Sequence, residues 1–324
     1  KYRHYDLNAA NPDTVSMTSL SGLTSAYTYT VRDALSSKRD VVTGIIRYRP
    51  TDRMTVKGEY VLETISRDLG SNPSEWDVAQ RTSKVTGKLG FTYRMMNKLY
   101  LRADASSMNV ENPAYADDPD HVVKGNVSAT WTPITKVIAL VSYGGTQERR
   151  NDLTAPLAGG TRKVNRDQVL GSLTFLPGKR ASITASAMYY QNKTKETLTF
   201  TDTSGQYLTE GAVPYSDTAQ VYTLSASYAL TDRAVLTGDA SKCFAKGQFR
   251  LDGSIAGTSG IDELSDTHVI EDVYTTSLAV QFSNNAGSEL RYQHRQYNDK
   301  IDDTQDGRVN TVLATVYLKW LSLI

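Results

Sequence analysis

Cys243, four histidines and two acidic stretches are the residues of this sequence whose chemistry could carry a reaction or hold a metal ion. A single cysteine cannot form an intrachain disulfide or a cysteine-rich metal site. Cys243 is followed by Phe-Ala-Lys-Gly, so the Cys-x-x-Cys-His motif that attaches c-type haem is absent. Its plain reading is a small residue on a strand; the sharper one is a reactive thiol. His4, His121, His268 and His294 are scattered, and each reads as a solvated or interior-facing residue rather than a haem or metal ligand. Asp117-Asp118-Pro119-Asp120 has the charge to bind calcium between loops, against the simpler reading of solvated loop charge. Asp302-Asp303-Thr304-Gln305-Asp306-Gly307 opens like an EF-hand, but the twelfth position is Leu313 where a glutamate is needed, and that reading is rejected. No Ser-His-Asp order, nucleophile elbow or phosphate loop is present. The expectation is a chain that is not an enzyme and that binds no cofactor or metal of its own.

The elements that would position these residues are therefore the informative part. The chain has 324 residues, long for one soluble core, although a membrane barrel escapes that limit because its core is the bilayer. Hydrophobic residues make up 39%, below the usual globular share of about 45–50%. Lys+Arg and Asp+Glu number 36 and 35, which gives no general attraction to nucleic acid. No apolar run reaches the ~18 residues of a membrane helix. The mean hydropathy of −0.42 does not argue against a barrel, because only alternate residues of a barrel strand meet lipid. No signal peptide opens the sequence, and Lys1 already reads as strand. That fits a processed mature chain or a fragment lacking its N-terminal part.

Alternation is found nearly everywhere and helical spacing almost nowhere. In Met54–Glu63 the even positions are Met, Val, Gly, Tyr and Leu, and the odd ones Thr, Lys, Glu, Val and Glu. Leu99–Ser106, Val123–Trp131 and Val85–Tyr93 repeat the pattern. Short polar turns separate the strands at Pro50-Thr51-Asp52, Met95-Met96-Asn97, Pro133-Ile134-Thr135, Pro177-Gly178-Lys179, Thr231-Asp232 and Asn284-Asn285-Ala286-Gly287. Such residues set or tolerate the φ of tight hairpins. Longer polar stretches lie between, at Asp68–Thr82, Asn109–His121, Arg149–Arg166, Lys195–Thr218, Phe244–Glu271 and Asp299–Arg308. Short turns on one side and long loops on the other are the layout of a bacterial outer-membrane barrel, with the turns periplasmic and the loops outside.

The hairpins recur every ~40–55 residues, a weak internal repeat in which Gly44, Gly87, Gly125 and Gly171 each lead towards a turn. A propeller blade has that period but needs four short strands, where two of ~9–11 residues are read here, the length of a tilted bilayer span. The expectation is one domain over residues 1–324. It is an all-β, transmembrane antiparallel up-and-down barrel of about 14 strands, from Lys1–Asn8 to Val309–Trp320, possibly part of a larger barrel. Phe244–Glu271 could hide another short hairpin.

A soluble sandwich alternates too. Three features favour the barrel. Aromatics collect near strand ends, and Tyr48, Tyr60, Trp131, Tyr228 and Trp320 are the candidates for lipid-interface girdles. Full charges stand in mid-strand, with Lys57, Glu59, Lys88, Arg102, Asp104 and Lys124 the candidates for a polar lumen. The final strand puts Val312, Ala314, Val316, Leu318 and Trp320 on one face, like a barrel-insertion signal, although Leu321-Ser322-Leu323-Ile324 follow the aromatic. Charges of both signs predict a wet or protein-filled lumen rather than a strongly ion-selective pore.

Several segments resemble the MtrB/PioB family of decahaem-associated outer-membrane proteins. They are Lys1–Asn8, Ile46–Tyr60, Glu75-Trp76-Asp77-Val78, Thr86–Phe91 and Asn112-Pro113-Ala114-Tyr115, mainly within the first ~130 residues. The resemblance implies a barrel in the bacterial outer membrane that sheathes a multihaem c-type cytochrome, in its lumen and at its mouths, for extracellular electron transfer. The haem c would belong to the partner. The alternative is a diffusion porin or substrate-specific transporter, for which Lys195–Thr218 and Phe244–Glu271 are the loops long enough to fold inward. A soluble β-repeat binding module is the third reading.

Overall fold

Residues that alternate apolar and polar can satisfy one buried and one wet surface only as strands. In the computed structural model they form an antiparallel meander. The structure describes all residues except 10–13, 19–25, 31–34, 71–77, 97, 116–117, 154–159, 202–206, 251–264, 303, 305 and 319–324. The strands are β1 (Tyr2–Leu7), β2 (Thr14–Thr18), β3 (Ala26–Thr30), β4 (Ser36–Thr51), β5 (Met54–Asp68), β6 (Arg81–Met96), β7 (Leu99–Glu111) and β8 (His121–Ile134). They continue as β9 (Val137–Leu153), β10 (Gly160–Gly178), β11 (Ala181–Thr201), β12 (Tyr207–Thr231), β13 (Ala234–Phe249), β14 (Thr267–Ser283), β15 (Ala286–Asp299) and β16 (Gly307–Leu318). Fourteen of them make one sheet in the order β1-β4-β5 and on to β16, each beside its neighbour in sequence. The fold is all-β and up-and-down, of the transmembrane barrel type. A separate two-stranded hairpin, β2–β3, lies in a stretch where the sequence pattern gave no strand.

The strands are longer than the alternation predicts. β4 to β16 run from 12 residues in β16 to 25 in β12. Lys195–Thr218, read as a loop able to fold inward, is mostly ladder: Leu198 pairs with Glu210 and Thr201 with Tyr207. Arg149–Arg166 is also largely strand, since Arg150 pairs with Arg162. Their polar composition resembles that of a loop because a strand that continues beyond the bilayer meets water on both faces and loses its alternation. The central part of Phe244–Glu271 lies outside the described residues.

Among the described residues, five two-residue turns join hairpins: Asp52-Arg53, Thr135-Lys136, Lys179-Arg180, Asp232-Arg233 and Asn284-Asn285. Each follows a register shift, as between Tyr48 and Thr51 or between Trp131 and Ile134. Such bulges add local twist and close a tight connection. Thr51, Thr231 and Ser283 accept the amide of the residue two further on with their hydroxyls, at 3.2–3.3 Å.

β1 and β16 end the order and run in opposite senses, as antiparallel closure requires. No ladder joins them among the described residues. β1 covers only the loop-side half of β4, from Leu7 opposite Ser37 to Tyr2 opposite Val42.

At the other edge Gly287 lies opposite Tyr317. A Cβ at Gly287 would overlap the Tyr317 hydroxyl oxygen and Cζ, so the ring lies over the glycine and covers the β15–β16 ladder. Gly287→Ala is expected to displace that ring and cost about 1 kcal/mol, at the lower end of overpacking penalties. In a Tyr317→Ala background the same change should cost nothing. Denaturant midpoints of the four proteins check this, and an equal loss in both backgrounds would contradict it.

Candidate functional site

The registers sort side chains onto two faces across the whole sheet. On one face lie Ile46, Gly58 and Leu89, then Ala105, Gly125 and Gly145, each opposite the next. Further round the same face come Leu173, Ala185, Leu224, Ala240 and Tyr274. These side chains are largely uncovered: Ile46 is 75% exposed, Leu224 53% and Val316 71%. An apolar face this extensive without cover is stable only against lipid or a partner.

Aromatics border that face in two rows. The turn-side row is Tyr48, Tyr93, Trp131, Phe175 and Tyr228, each three positions before the end of β4, β6, β8, β10 and β12. The loop-side row is Tyr60, Tyr143, Tyr189, Tyr222, Tyr274 and Tyr292, in mid-strand because the strands outrun the belt. Tyr60 thus does not mark a strand end. The hydroxyl of Tyr143 donates to Asp167 at 2.6 Å, that of Tyr222 to Gln220 at 3.2 Å and that of Tyr292 to Asn310 at 2.9 Å. Each polar partner sits on the loop side of its ring, so the ring meets the apolar belt and its hydroxyl the wet zone. Gly44 and Gly87 flank Tyr60 across both ladders and give its ring room. Of the five aromatics singled out from the sequence, Tyr48, Tyr60, Trp131 and Tyr228 share this face, and Trp320 lies outside the described residues.

The six charged residues singled out from the sequence share the opposite face. Glu59 accepts from Lys57 on its own strand and from Lys88 directly across the ladder, both at 2.8 Å. Arg102 donates to Asp104 at 2.6 Å. Arg166 donates to Glu148 at 2.7 Å. Lys57, Glu59, Lys88, Asp104, Lys124 and Arg166 line one concave surface. Beyond it the polar face turns to hydroxyls, paired across strands as Thr174 with Thr184, Ser182 with Ser227 and Thr237 with Ser277. Ion pairs return at Arg291–Glu289 and Arg295–Glu271. Cys243 stands opposite Glu271 and Val221 on the polar face, as a half-buried free thiol.

At the loop-side end this face is packed. Thr82, Val110, Val122, Val164 and Val213 are buried there, with Val164 only 1% exposed. Arg67 bridges the Ala79 carbonyl and the Thr82 hydroxyl, both at 2.8 Å. The amide of Val110 donates to the Asp120 carbonyl, and the amide of Asp120 to the Arg149 carbonyl. The β7–β8 and β8–β9 ladders therefore continue past the ends of the strands at this side. The acidic loops serve as turns: Asp120 takes the Asn151 amide, and Asp306 the Asp299 amide. Asp302 takes the Thr304 amide, which holds its carboxyl below the usual range. Asp117 and Asp303 lie outside the described residues. His4 bonds Asp40, His121 bonds Asn109, and His294 bonds Asn310 and stacks on Tyr274, so those three are tied into cross-strand pairs. Among the described residues no group of three or more His, Cys, Asp or Glu is placed to hold a metal.

The sequence reading missed one feature, a cationic rim at the turn side. Five residues after Tyr48, Tyr93, Trp131, Phe175 and Tyr228 come Arg53, Lys98, Lys136, Arg180 and Arg233. The carbonyl of each accepts an amide from the adjoining hairpin, at 2.7–2.8 Å, from Arg94, Thr132, Leu176, Ala229 and Gln281 respectively. The register thus fixes all five on the polar-face parity. Arg47, Arg49, Arg94 and Lys179 add to the rim, against the carboxylates Asp52 and Asp232. Since the whole chain carries only +1, the remainder is net acidic. Among the described residues only Arg180 of these cations is in an ion pair, with Asp232 at 3.3 Å. The signal in the sequence was an aromatic followed five residues later by Lys or Arg, five times over.

A belt of apolar groups between two aromatic rows, backed by an ion-paired polar face, is the wall of a bacterial outer-membrane β-barrel. No family model and no curated protein matches the chain. Similar solved structures include OmpT, an outer membrane protein of Vibrio cholerae, at 8% identity, covering 98% of this chain and 95% of that one, TM-score 0.42. The NanC porin matches at 10% identity, covering 73% and 94%, TM-score 0.31. The translocator domain of the autotransporter NalP from Neisseria meningitidis matches at 14%, covering 87% and 82%, TM-score 0.27. Likenesses at this level bear on neither family nor function.

Proposed function

We propose that the chain forms a polar conduit through the outer membrane, with the ion-paired face as its lumen and the apolar face against lipid. The observation that carries this is the separation, within the belt between the aromatic rows, of Lys57, Glu59, Lys88, Arg102 and Asp104 from Ile46, Leu89, Val127, Leu173 and Leu224. A charge in mid-bilayer costs about 2–4 kcal/mol, so this many charges are tolerated only where water reaches them. The chemistry is that of passage rather than reaction.

A second reading is a sleeve for a multihaem c-type cytochrome. It is favoured by the family resemblance of Ile46–Tyr60, which is the β4–β5 hairpin, and by a lumen whose charges are largely neutralised in place. The haem would be the partner's. One preparation tests both. The protein extracted in detergent from its native membrane should be colourless by haem stain and should conduct ions in planar bilayers. A stoichiometric haem-staining partner, with conductance appearing only after its removal, would replace the conduit by the sleeve.

A further inference from the structure

We propose that the cationic rim at the turn side is a docking surface for an acidic polypeptide. Its core is Arg53, Lys98, Lys136, Arg180 and Arg233, one at each of five consecutive turns. This goes beyond the conduit reading and rests only on the chain being a barrel wall.

Three observations point to this occupant. The first is placement. Ladder bonds from each of the five carbonyls to the neighbouring hairpin hold these residues on the polar-face parity, while the aromatics five positions earlier hold the lipid side. A rim built to grip phospholipid headgroups would carry its cations on the aromatic side. The second is neutralisation. Lys57, Lys88, Arg102 and Arg166 inside the wall are in ion pairs at 2.6–2.8 Å. On the rim Lys98 and Arg233 reach only backbone carbonyls, of Pro133 and Phe282, and Arg180 makes a single 3.3 Å contact with an aspartate that is 92% exposed. The rim's positive charge is thus left for a partner. The third is spacing. Consecutive rim cations stand two strands apart, about 10 Å, and the five span eight strand intervals, roughly 40 Å along the rim. A phosphate or a small carboxylate touches one of them at a time. An acidic chain or protein face several nanometres long engages all five, and the summed field steers it to the mouth.

The test uses the folded protein in detergent and a fluorescent poly-glutamate of ~50 residues, long enough to span the rim. Wild type is expected to bind it in low salt and to lose it as ionic strength screens the charges. R53Q/K98Q/K136Q/R180Q/R233Q should bind about tenfold more weakly or worse. A loop-side variant with the same loss of charge, K84Q/K163Q/K193Q/K195Q/K246Q, should stay within about twofold of wild type. Carbodiimide cross-linking of wild type, which needs no variant to fold, should join glutamate to Lys98, Lys136 and Lys179 rather than to Lys84 or Lys163. Equal loss in the two variants, or cross-links spread over both ends, would overturn the proposal. So would competition by inorganic phosphate at low millimolar concentration, which would make the rim a set of small-anion sites. Loss of binding to phosphatidylglycerol vesicles by the rim variant, with poly-glutamate binding intact, would assign the rim to lipid instead. Failure of wild type to show a heat-modifiable folded band would sink the barrel wall itself, a result distinct from all of these.

Discussion

Leu224→Arg is expected to destabilise the folded protein by about 2–4 kcal/mol, while Thr223→Arg, one residue away, costs almost nothing. Leu224 lies between Ala185 and Ala240 in mid-belt, seven residues before the end of strand β12 at Thr231. Thr223 lies between Ser186 and Ser241 among the hydroxyls of the opposite face. The two positions share strand, depth and exposure to the same turn. Only the medium differs. A guanidinium at 224 must leave water for hydrocarbon or drag the strand towards an interface. Its neighbours offer no carboxylate on that face nearer than Asp272, which is already paired with Lys242 at 3.3 Å. At 223 the guanidinium points among hydroxyls that hydrogen-bond it and, in the conduit reading, among water. Denaturant unfolding in lipid vesicles, followed by the heat-modifiable band shift, measures both. Equal costs would mean that the apolar face is not in lipid, and the soluble β-repeat reading would return.

The faces were legible in the sequence because a strand's period of two is insensitive to context. Met54–Glu63 announces its own apolar and polar sides, and one register slip would expose the wrong set. Strand number was legible for the same reason, since six Pro-, Asn- and Asp-containing turns cut the pattern into hairpins. Strand length was not. Above the belt, residues such as Lys193, Thr194, Lys195 and Glu196 continue the β11–β12 ladder with no difference in polarity between the faces. There composition says loop while the backbone hydrogen bonds say strand. Tyr60 differs from expectation for the same reason, because it marks the belt's margin and not the strand's end. The cationic rim was visible as a spacing but needed the ladder bonds to give it a side. Which residues pair within the lumen could not be read at all: Glu59 meets Lys88 only because β5 and β6 adopt the register that puts them opposite each other.

That Glu59 cluster carries the other large effect. Glu59→Gln removes the one carboxylate shared by Lys57 and Lys88 and leaves two ammonium groups facing each other across the β5–β6 ladder. The glutamate is 17% exposed and the lysines 40% and 49%, so solvent screens much of the pairing and the stability cost should be only about 1 kcal/mol. The field in the lumen changes more. On this concave surface and its border, Lys57, Lys88, Arg102, Lys124 and Arg166 face the carboxylates Glu59, Asp104 and Glu148. Removing Glu59 leaves five cations against two carboxylates on one surface, and so changes the sign balance an ion meets there. Glu59→Gln should therefore shift the reversal potential under a salt gradient towards the anion. Glu59→Lys should shift it further, and Lys88→Gln should move it the opposite way. The series is read in planar bilayers with one protein preparation, and the ordering matters more than any single value. If all three variants conduct with unchanged selectivity, ions do not pass along this face. The charged sector is then wall structure facing an occupant, and the sleeve becomes the better account of why a barrel keeps paired charges in its lumen.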